Sequence, residues 1–341
     1  MKKLPFILAF LLLPASLILG SFAEPNTNSN DTPPPSEFET LLSFLEANRN
    51  FINTDAAPAL IAADEVKKNL KNLKYHIIDI RSASWFEYGH VKNAVNVQPA
   101  DLLGHFEKSI VPSDYDKIIL ICYSGQSAAY FSSLLRIAGY DNVYSMNWGM
   151  SSWRVDFAEN SWLKNTSDDF ASKLETTHRE KQAEGAAPLI NTGKNGGEAI
   201  LRARLEEAFA TPYKESIVKS SAAFEQPGDY YIIDYNGAEK YAKGHIPQAV
   251  QYNPNGSLIS GSDLFTIPAN KQILVYGPTG QETAYVVAYL NVLGYKTGNL
   301  AYGANSFCLL YTSPSPRDQS LYLVCRLLLE KRGGGGGGGG G

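Results

Sequence analysis

Ile118–Tyr130 reads I-I-L-I-C-Y-S-G-Q-S-A-A-Y. A short apolar run ends on Cys122, a small-residue loop follows, and a helical pattern starts at Ser127. A strand that stops on a cysteine and hands over to a helix N-terminus suits a reactive thiolate. Backbone N–H groups converge there, and the helix dipole favours negative charge.

The surrounding sequence, from Ala57 on, alternates short strands with helices. Strands are expected at Ala59–Ala62, His76–Ile80, Ala94–Val97, Ile118–Ile121 and Val143–Ser145, with helices over Asp64–Leu73 and Ser127–Ala138 and a helical turn over Trp85–His90. Such alternation implies a parallel sheet covered on both faces, with the reactive ligand beyond the C-terminal strand ends. Cys122 sits at such an end.

The pattern then repeats. Tyr75–Asp79 matches Tyr230–Asp234, Gly89-His90 matches Gly244-His245, Gly125-Gln126 matches Gly280-Gln281, and Gly139-Tyr140 matches Gly294-Tyr295, all at one constant offset. The chain is therefore a tandem duplication. In the second copy Gly277 stands where Cys122 stands in the first, and Glu282 stands in place of Ser127.

The two halves resemble the rhodanese (sulfurtransferase) family. The resemblance is carried by I-I-D-I-R (Ile77–Arg81), G-H-V-K-N-A-V-N-V (Gly89–Val97), C-Y-S-G-Q-S (Cys122–Ser127) and W-G-M-S-S-W (Trp148–Trp153), in family order. It implies two tandem three-layer α/β domains, each with a small parallel sheet flanked by helices. It casts Cys122 as the carrier of a persulfide, with Tyr123, Ser124, Gly125, Gln126 and Ser127 as its cradle. The expected activity is transfer of a sulfane sulfur from a thiosulfate, persulfide or polysulfide donor to a thiol, cyanide or protein-thiol acceptor. That chemistry needs a thiolate and N–H donors, with no metal and no organic cofactor beyond the covalent persulfide. The loop departs from versions with arginine or lysine at its second and sixth positions, since Tyr123 and Ser127 are uncharged. This weakens the case for the thiosulfate dianion as preferred donor. The implied active copy is N-terminal and the implied inactive copy C-terminal.

Other residues are open to plainer readings. Cys122 could be a buried structural thiol. Arg81 could reach toward the donor, or pair with Asp79 or Glu87. Asp79 and Asp234 recur in both halves, so a structural role fits them better than acid catalysis. His90 and His245 each follow Gly in a turn and are expected to fix it, and Trp148 and Trp153 are expected to pack near the loop. A non-catalytic module that senses reactive sulfur or oxidants, or binds a protein, is the alternative to an enzyme. Phosphatase-like or arsenate-reductase-like chemistry is disfavoured because no arginine follows Gly125 to bind an oxyanion.

At 341 residues and 44% hydrophobic, the chain has enough material for two cores, and a formal charge of −4 argues against nucleic acid as a partner. Met1–Ala23 has Lys2 and Lys3, an apolar run and small residues before Glu24, the pattern of a cleaved export signal. The mature protein is expected to be exported, periplasmic or secreted, and not inserted in a membrane. Residues 24–56 are expected to form a polar spacer and a short amphipathic helix padding the first domain. Domain 1 is expected over 57–158, a linker over 159–197, and domain 2 over 198–307. Residues 308–341 resemble the translation of sequencing adapters followed by a glycine run, and are expected to lie outside the natural protein. Without them, Cys122 is the one remaining cysteine.

Overall fold

The computed structural model of the protein describes residues 34–309. The chain opens with α1 (Glu37–Asn48) and continues through β1 (Leu60–Ile61), α2 (Ala63–Lys68), β2 (Tyr75–Asp79), α3 (Ala83–Tyr88), β3 (Val95–Asn96), α4 (Leu102–Lys108), β4 (Lys117–Ile121), α5 (Gln126–Ile137), β5 (Val143–Met146) and α6 (Val155–Asn160). A long connection leads to α7 (Gly197–Ala210), β6 (Ile217–Val218), α8 (Ser220–Glu225), β7 (Tyr230–Asp234), α9 (Ala238–Lys243), β8 (Val250–Gln251), β9 (Gln272–Tyr276), α10 (Gln281–Val292) and β10 (Thr297–Leu300).

Two five-stranded sheets result, ordered β1-β5-β4-β2-β3 and β6-β10-β9-β7-β8, and every pairing is parallel. The registers correspond: Asp79 lies opposite Ile121 in the first sheet, and Asp234 opposite Tyr276 in the second. These are two tandem α/β domains of the architecture that the alternation predicts.

Side chains alternate faces along a strand, which sets the layers. Ile118, Leu120 and Cys122 point into one core, while Ile119 and Ile121 join Met146 and Phe157 on the opposite face. In the second sheet Ile273 and Val275 enter the same core as Ile118 and Leu120, because α5 and α10 pack against each other between the two sheets. One apolar interior thus serves both domains. The Ser133 hydroxyl donates to the Tyr285 carbonyl, and the Tyr285 hydroxyl donates to the Ala59 carbonyl, across it.

Three expectations are corrected. The N-terminal helix α1 pads the second domain, not the first. Its buried stripe of Phe38, Leu41, Leu42 and Leu45 includes a ring that packs on Phe265 and Tyr295, and Glu46 accepts hydrogen bonds from Ser260. The helix before the second domain, α7, reciprocates: Phe209 stacks on Phe131, and Arg202 pairs with Glu107 of the first domain. The helix predicted over Asp64–Leu73 ends at Lys68, because the Asn69 side chain donates back to the Glu65 carbonyl and the chain turns through Asn72. Helix α5, expected from Ser127, starts one residue earlier at Gln126, and the residue at its N-cap is not a serine. That position is Gly125, at φ +87°.

The connection between the domains is held in place. Glu175 and His245 exchange backbone hydrogen bonds, Lys181 pairs with Asp263, and Ile190 is buried. At the far end Cys308 is buried among Phe224, Tyr276 and Phe307. The predicted export signal and the adapter-like blocks beyond Leu309 lie outside the described residues. Among the described residues no helix is long and apolar enough to cross a membrane.

Candidate active site

β4 is buried from Ile118 on, so its C-terminal end delivers Cys122 to a fixed place between β2 and β5. The chain then curls over the sulfur. The Gly125 N–H donates to Cys122 Sγ at 3.1 Å, and the Ala128 N–H donates to it at 3.3 Å. Ala128 is the third residue of α5, whose N–H is ordinarily satisfied by a capping side chain. The cysteine sulfur takes that role, which explains why the helix starts well without a serine cap.

The curl requires glycine at two places. Gly125 has φ +87°, and a Cβ there would fall on Gln281 Oε1 and lie 2.9 Å from the Trp148 nitrogen. Gly149 has φ +53°, and a Cβ there would meet the Cys122 carbonyl and the Gly125 nitrogen. The Trp148–Ser152 turn is therefore pressed against the loop. It is tied there by Met150 N–H to the Cys122 carbonyl at 2.8 Å and by the Ser151 hydroxyl to the Tyr123 carbonyl at 2.9 Å.

A cavity of about 780 Å³ opens over this loop. Tyr123, Ser124, Gln126 and Ser127 line it, so the expected cradle residues do gather at one place. Cys122 does not line it: its side chain is 1% exposed and lies beneath the loop. Arg81 does not line it either. Its guanidinium is fully buried in a two-pronged pair with Asp79, donates to the Gly89 carbonyl at 2.7 Å, and lies over the Phe157 ring. Of the roles open to Arg81, pairing with Asp79 is the one observed. His90 and His245 each bond the carbonyl four residues back through Nδ1, at 2.8 and 2.9 Å, as turn-fixing residues do.

Gln126 does more than line the cavity. Its Nε2 donates to Ser124 Oγ at 3.1 Å, and its Oε1 accepts from the Tyr302 N–H of the second domain at 2.8 Å. Gln281 mirrors it: Nε2 donates to Thr279 Oγ1 at 3.1 Å, and Oε1 accepts from the Trp148 N–H at 2.6 Å. Each loop thus holds the closing turn of the other domain.

Part of the cavity lining comes from the connection and the second domain, where no motif marks it. Tyr213, Lys214 and Tyr302 line the cavity with Lys164, Trp85 and Phe157. Burial raises the pKa of the Tyr213 hydroxyl well above its ordinary value, and the nearby Cys122 and Tyr302 add in the same direction. That hydroxyl accepts from Asn299 Nδ2 at 2.8 Å, which leaves its own proton free to point elsewhere. These residues lie far from Cys122 in sequence, and no local pattern marks them.

The second loop is filled from within. Glu282 Oε2 accepts from the Thr279 N–H at 3.2 Å and from the Thr279 hydroxyl at 2.6 Å. A Cβ on Gly277 would lie 2.9 Å from Thr283 Cγ2. Asp234, which has no arginine partner, accepts from Asn236 and the Tyr276 hydroxyl, and burial raises its pKa. Among the described residues no cluster of His, Cys, Asp and Glu is arranged to hold a metal.

The rhodanese-like domain profile matches the chain twice, over residues 62–156 and 218–309. The thiosulfate sulfurtransferase GlpE of Shewanella oneidensis is 36% identical over 78 residues, which cover 23% of this chain and 73% of that protein. GlpE of Pseudoalteromonas translucida is 31% identical over 84 residues, 24% of this chain and 76% of that protein. Among solved structures, a thiosulfate sulfurtransferase from Pseudomonas aeruginosa covers 87% of this chain and 77% of its own, at 13% identity and a TM-score of 0.26.

Proposed function

We propose a function from one premise: the chain belongs to the rhodanese-like domain family. The protein is a sulfurtransferase that carries sulfane sulfur on Cys122, and its second domain has glycine, Gly277, at the corresponding loop position. The observation that carries this reading is the pair of backbone N–H groups donated to Cys122 Sγ at the start of α5. They would stabilise anionic sulfur without any charged side chain in the loop.

In the first half-reaction the Cys122 thiolate attacks the outer sulfur of the donor. A bond forms from Cys122 Sγ to that sulfur as its bond to the donor breaks, and the donor leaves as the reduced anion. In the second, a thiolate or cyanide attacks the same outer sulfur, and Cys122 departs as thiolate with its electron pair. Because the sulfur is covered, the Tyr123–Ser124 segment has to move for either step. A structural thiol would share that burial, but the open cavity directly over the loop favours exchange.

Incubation of the purified protein with a sulfane donor and weighing it intact tests the reading. The expected result is a gain of one sulfur in the wild type, none in Cys122→Ser, and loss of that sulfur on adding cyanide. Loading that no acceptor reverses would point instead to a sensor of reactive sulfur. No loading under any donor would end both readings.

The Met1–Ala23 pattern supports a further part of the proposal, export to the periplasm or beyond. N-terminal sequencing of the protein recovered from that compartment is expected to begin at Glu24. An N-terminus at Met1 in the cytoplasmic fraction would contradict it.

A further inference from the structure

The cavity over the cysteine loop carries an electrostatic asymmetry that the loop itself lacks. Lys164 and Lys214 line it, no aspartate or glutamate does, and the chain as a whole is acidic. Neither lysine has an acidic partner among the described residues. Lys164 comes from the connection after the first domain, and Lys214 from the segment before β6 of the second. Aromatic side chains line the same cavity, among them Trp85, Phe157, Phe209 and Tyr213. A cavity of about 780 Å³ is of the size that takes whole organic ligands, about 300–1,000 Å³, and far exceeds a small inorganic anion.

We infer that the donor is an organic persulfide bearing a carboxylate, and that Lys164 and Lys214 select it. This rests on Cys122 as the sulfur carrier, and assigns to the segments outside the first domain the reading of the donor. The organic body lies on the aromatic wall and its carboxylate faces the two ammonium groups, with the sulfane sulfur directed at the loop. The transfer then balances: Cys122–S⁻ and R–S–SH give Cys122–S–SH and R–S⁻. One sulfur–sulfur bond forms and another breaks. The cysteine is oxidised to the persulfide level while the donor is reduced to its thiolate, and no proton changes hands.

The test compares donors on the full chain, by the rate of sulfur gain at Cys122. Glutathione persulfide supplies the carboxylates, its diethyl ester removes their charge, and thiosulfate is the small inorganic dianion. The wild type is expected to prefer glutathione persulfide to both. In Lys164→Gln/Lys214→Gln the ratio of kcat/KM for the charged donor over its ester is expected to fall by about fivefold, as two exposed charges warrant. The Lys164→Arg/Lys214→Arg protein should keep the ratio, and added salt should lower it in the wild type. A wild type that favours thiosulfate or does not distinguish acid from ester overturns the inference, as does a Gln pair that keeps the wild-type ratio. Failure of Cys122 to gain sulfur from any of the three donors defeats the transfer reading itself, a different result from loss of selectivity.

Discussion

The two cysteine-position loops share their backbone and differ in what fills them. In the first, Cys122 Sγ takes the N–H groups of Gly125 and Ala128. In the second, Gly277 has no side chain to offer, Thr283 Cγ2 crowds the space a Cβ would need, and the Glu282 carboxylate bonds back to Thr279. The strands beneath follow suit. Asp79 is neutralised by Arg81, whereas Asp234 faces Asn236 and the hydroxyl of Tyr276, which stands where the first domain has Ile121. What survives in both copies is the glutamine that grips the partner's turn. The second copy thus lacks the groups that surround the Cys122 sulfur and keeps the glutamine that holds the other domain's turn.

The largest difference between the halves should appear at the paired aspartates. Asp79→Asn leaves the fully buried Arg81 without its counter-charge and should cost about 3–5 kcal/mol in denaturant unfolding. Asp234→Asn should behave oppositely. Burial raises the folded-state pKa of Asp234, so below the unfolded pKa of about 3.9 it is protonated in both states and contributes no penalty. As pH rises through the folded value, ionising it in the core costs stability. The Asn variant should therefore gain on the wild type as pH rises from about 4 toward neutrality. Equal losses for both variants at neutral pH would erase the contrast.

A smaller effect is expected at the reciprocal glutamines. Gln281→Ala strands the buried N–H of Trp148 and should cost about 1–3 kcal/mol, and Gln126→Ala strands the half-buried N–H of Tyr302 and should cost less. Gln281→Ala should also slow sulfur loading of Cys122, although it lies in the other domain, because the Trp148 turn bonds the Cys122 carbonyl through Met150. Normal loading kinetics in that variant would show that the turn does not depend on its grip.

The smallest expected signal comes from regrafting the second loop. Gly277→Cys alone should gain no second sulfur, since Glu282 and Thr283 still occupy the site. Gly277→Cys/Glu282→Ser/Thr283→Ala should gain a fraction of one, measured by intact mass. A single variant that loads fully would mean that only the nucleophile had been lost.

The repeat and both sheets were readable because parallel strands buried on two faces leave unmistakable apolar runs, and because two copies at one offset check each other. Tyr302 breaks that offset: it corresponds to Trp148 in shape, with φ of 60° against 57°, but lies one residue short. The loop around Cys122 was readable for a similar reason, since its residues are contiguous. Other features were not local. The stripe on α1 shows that the helix is buried and says nothing of which domain buries it. Helix α4 has no clear signature in the sequence, because its Leu102, Leu103 and Phe106 stripe is interrupted by Gly104 and His105. Lys164, Tyr213 and Lys214 share a cavity with the loop although they lie far from it in sequence, Tyr213 and Lys214 on the approach to the second domain's sheet. The burial of the Cys122 sulfur was likewise invisible from a motif that suggests an open strand end.

The central claim is that sulfur travels on Cys122 and on no other cysteine. Peptide mapping by mass spectrometry after brief treatment with a sulfane donor tests it directly, because Cys308 is the other described cysteine and is buried too. The account predicts the added sulfur on the peptide holding Cys122 and its removal by cyanide. Sulfur found on the Cys308 peptide, or on neither, would contradict it.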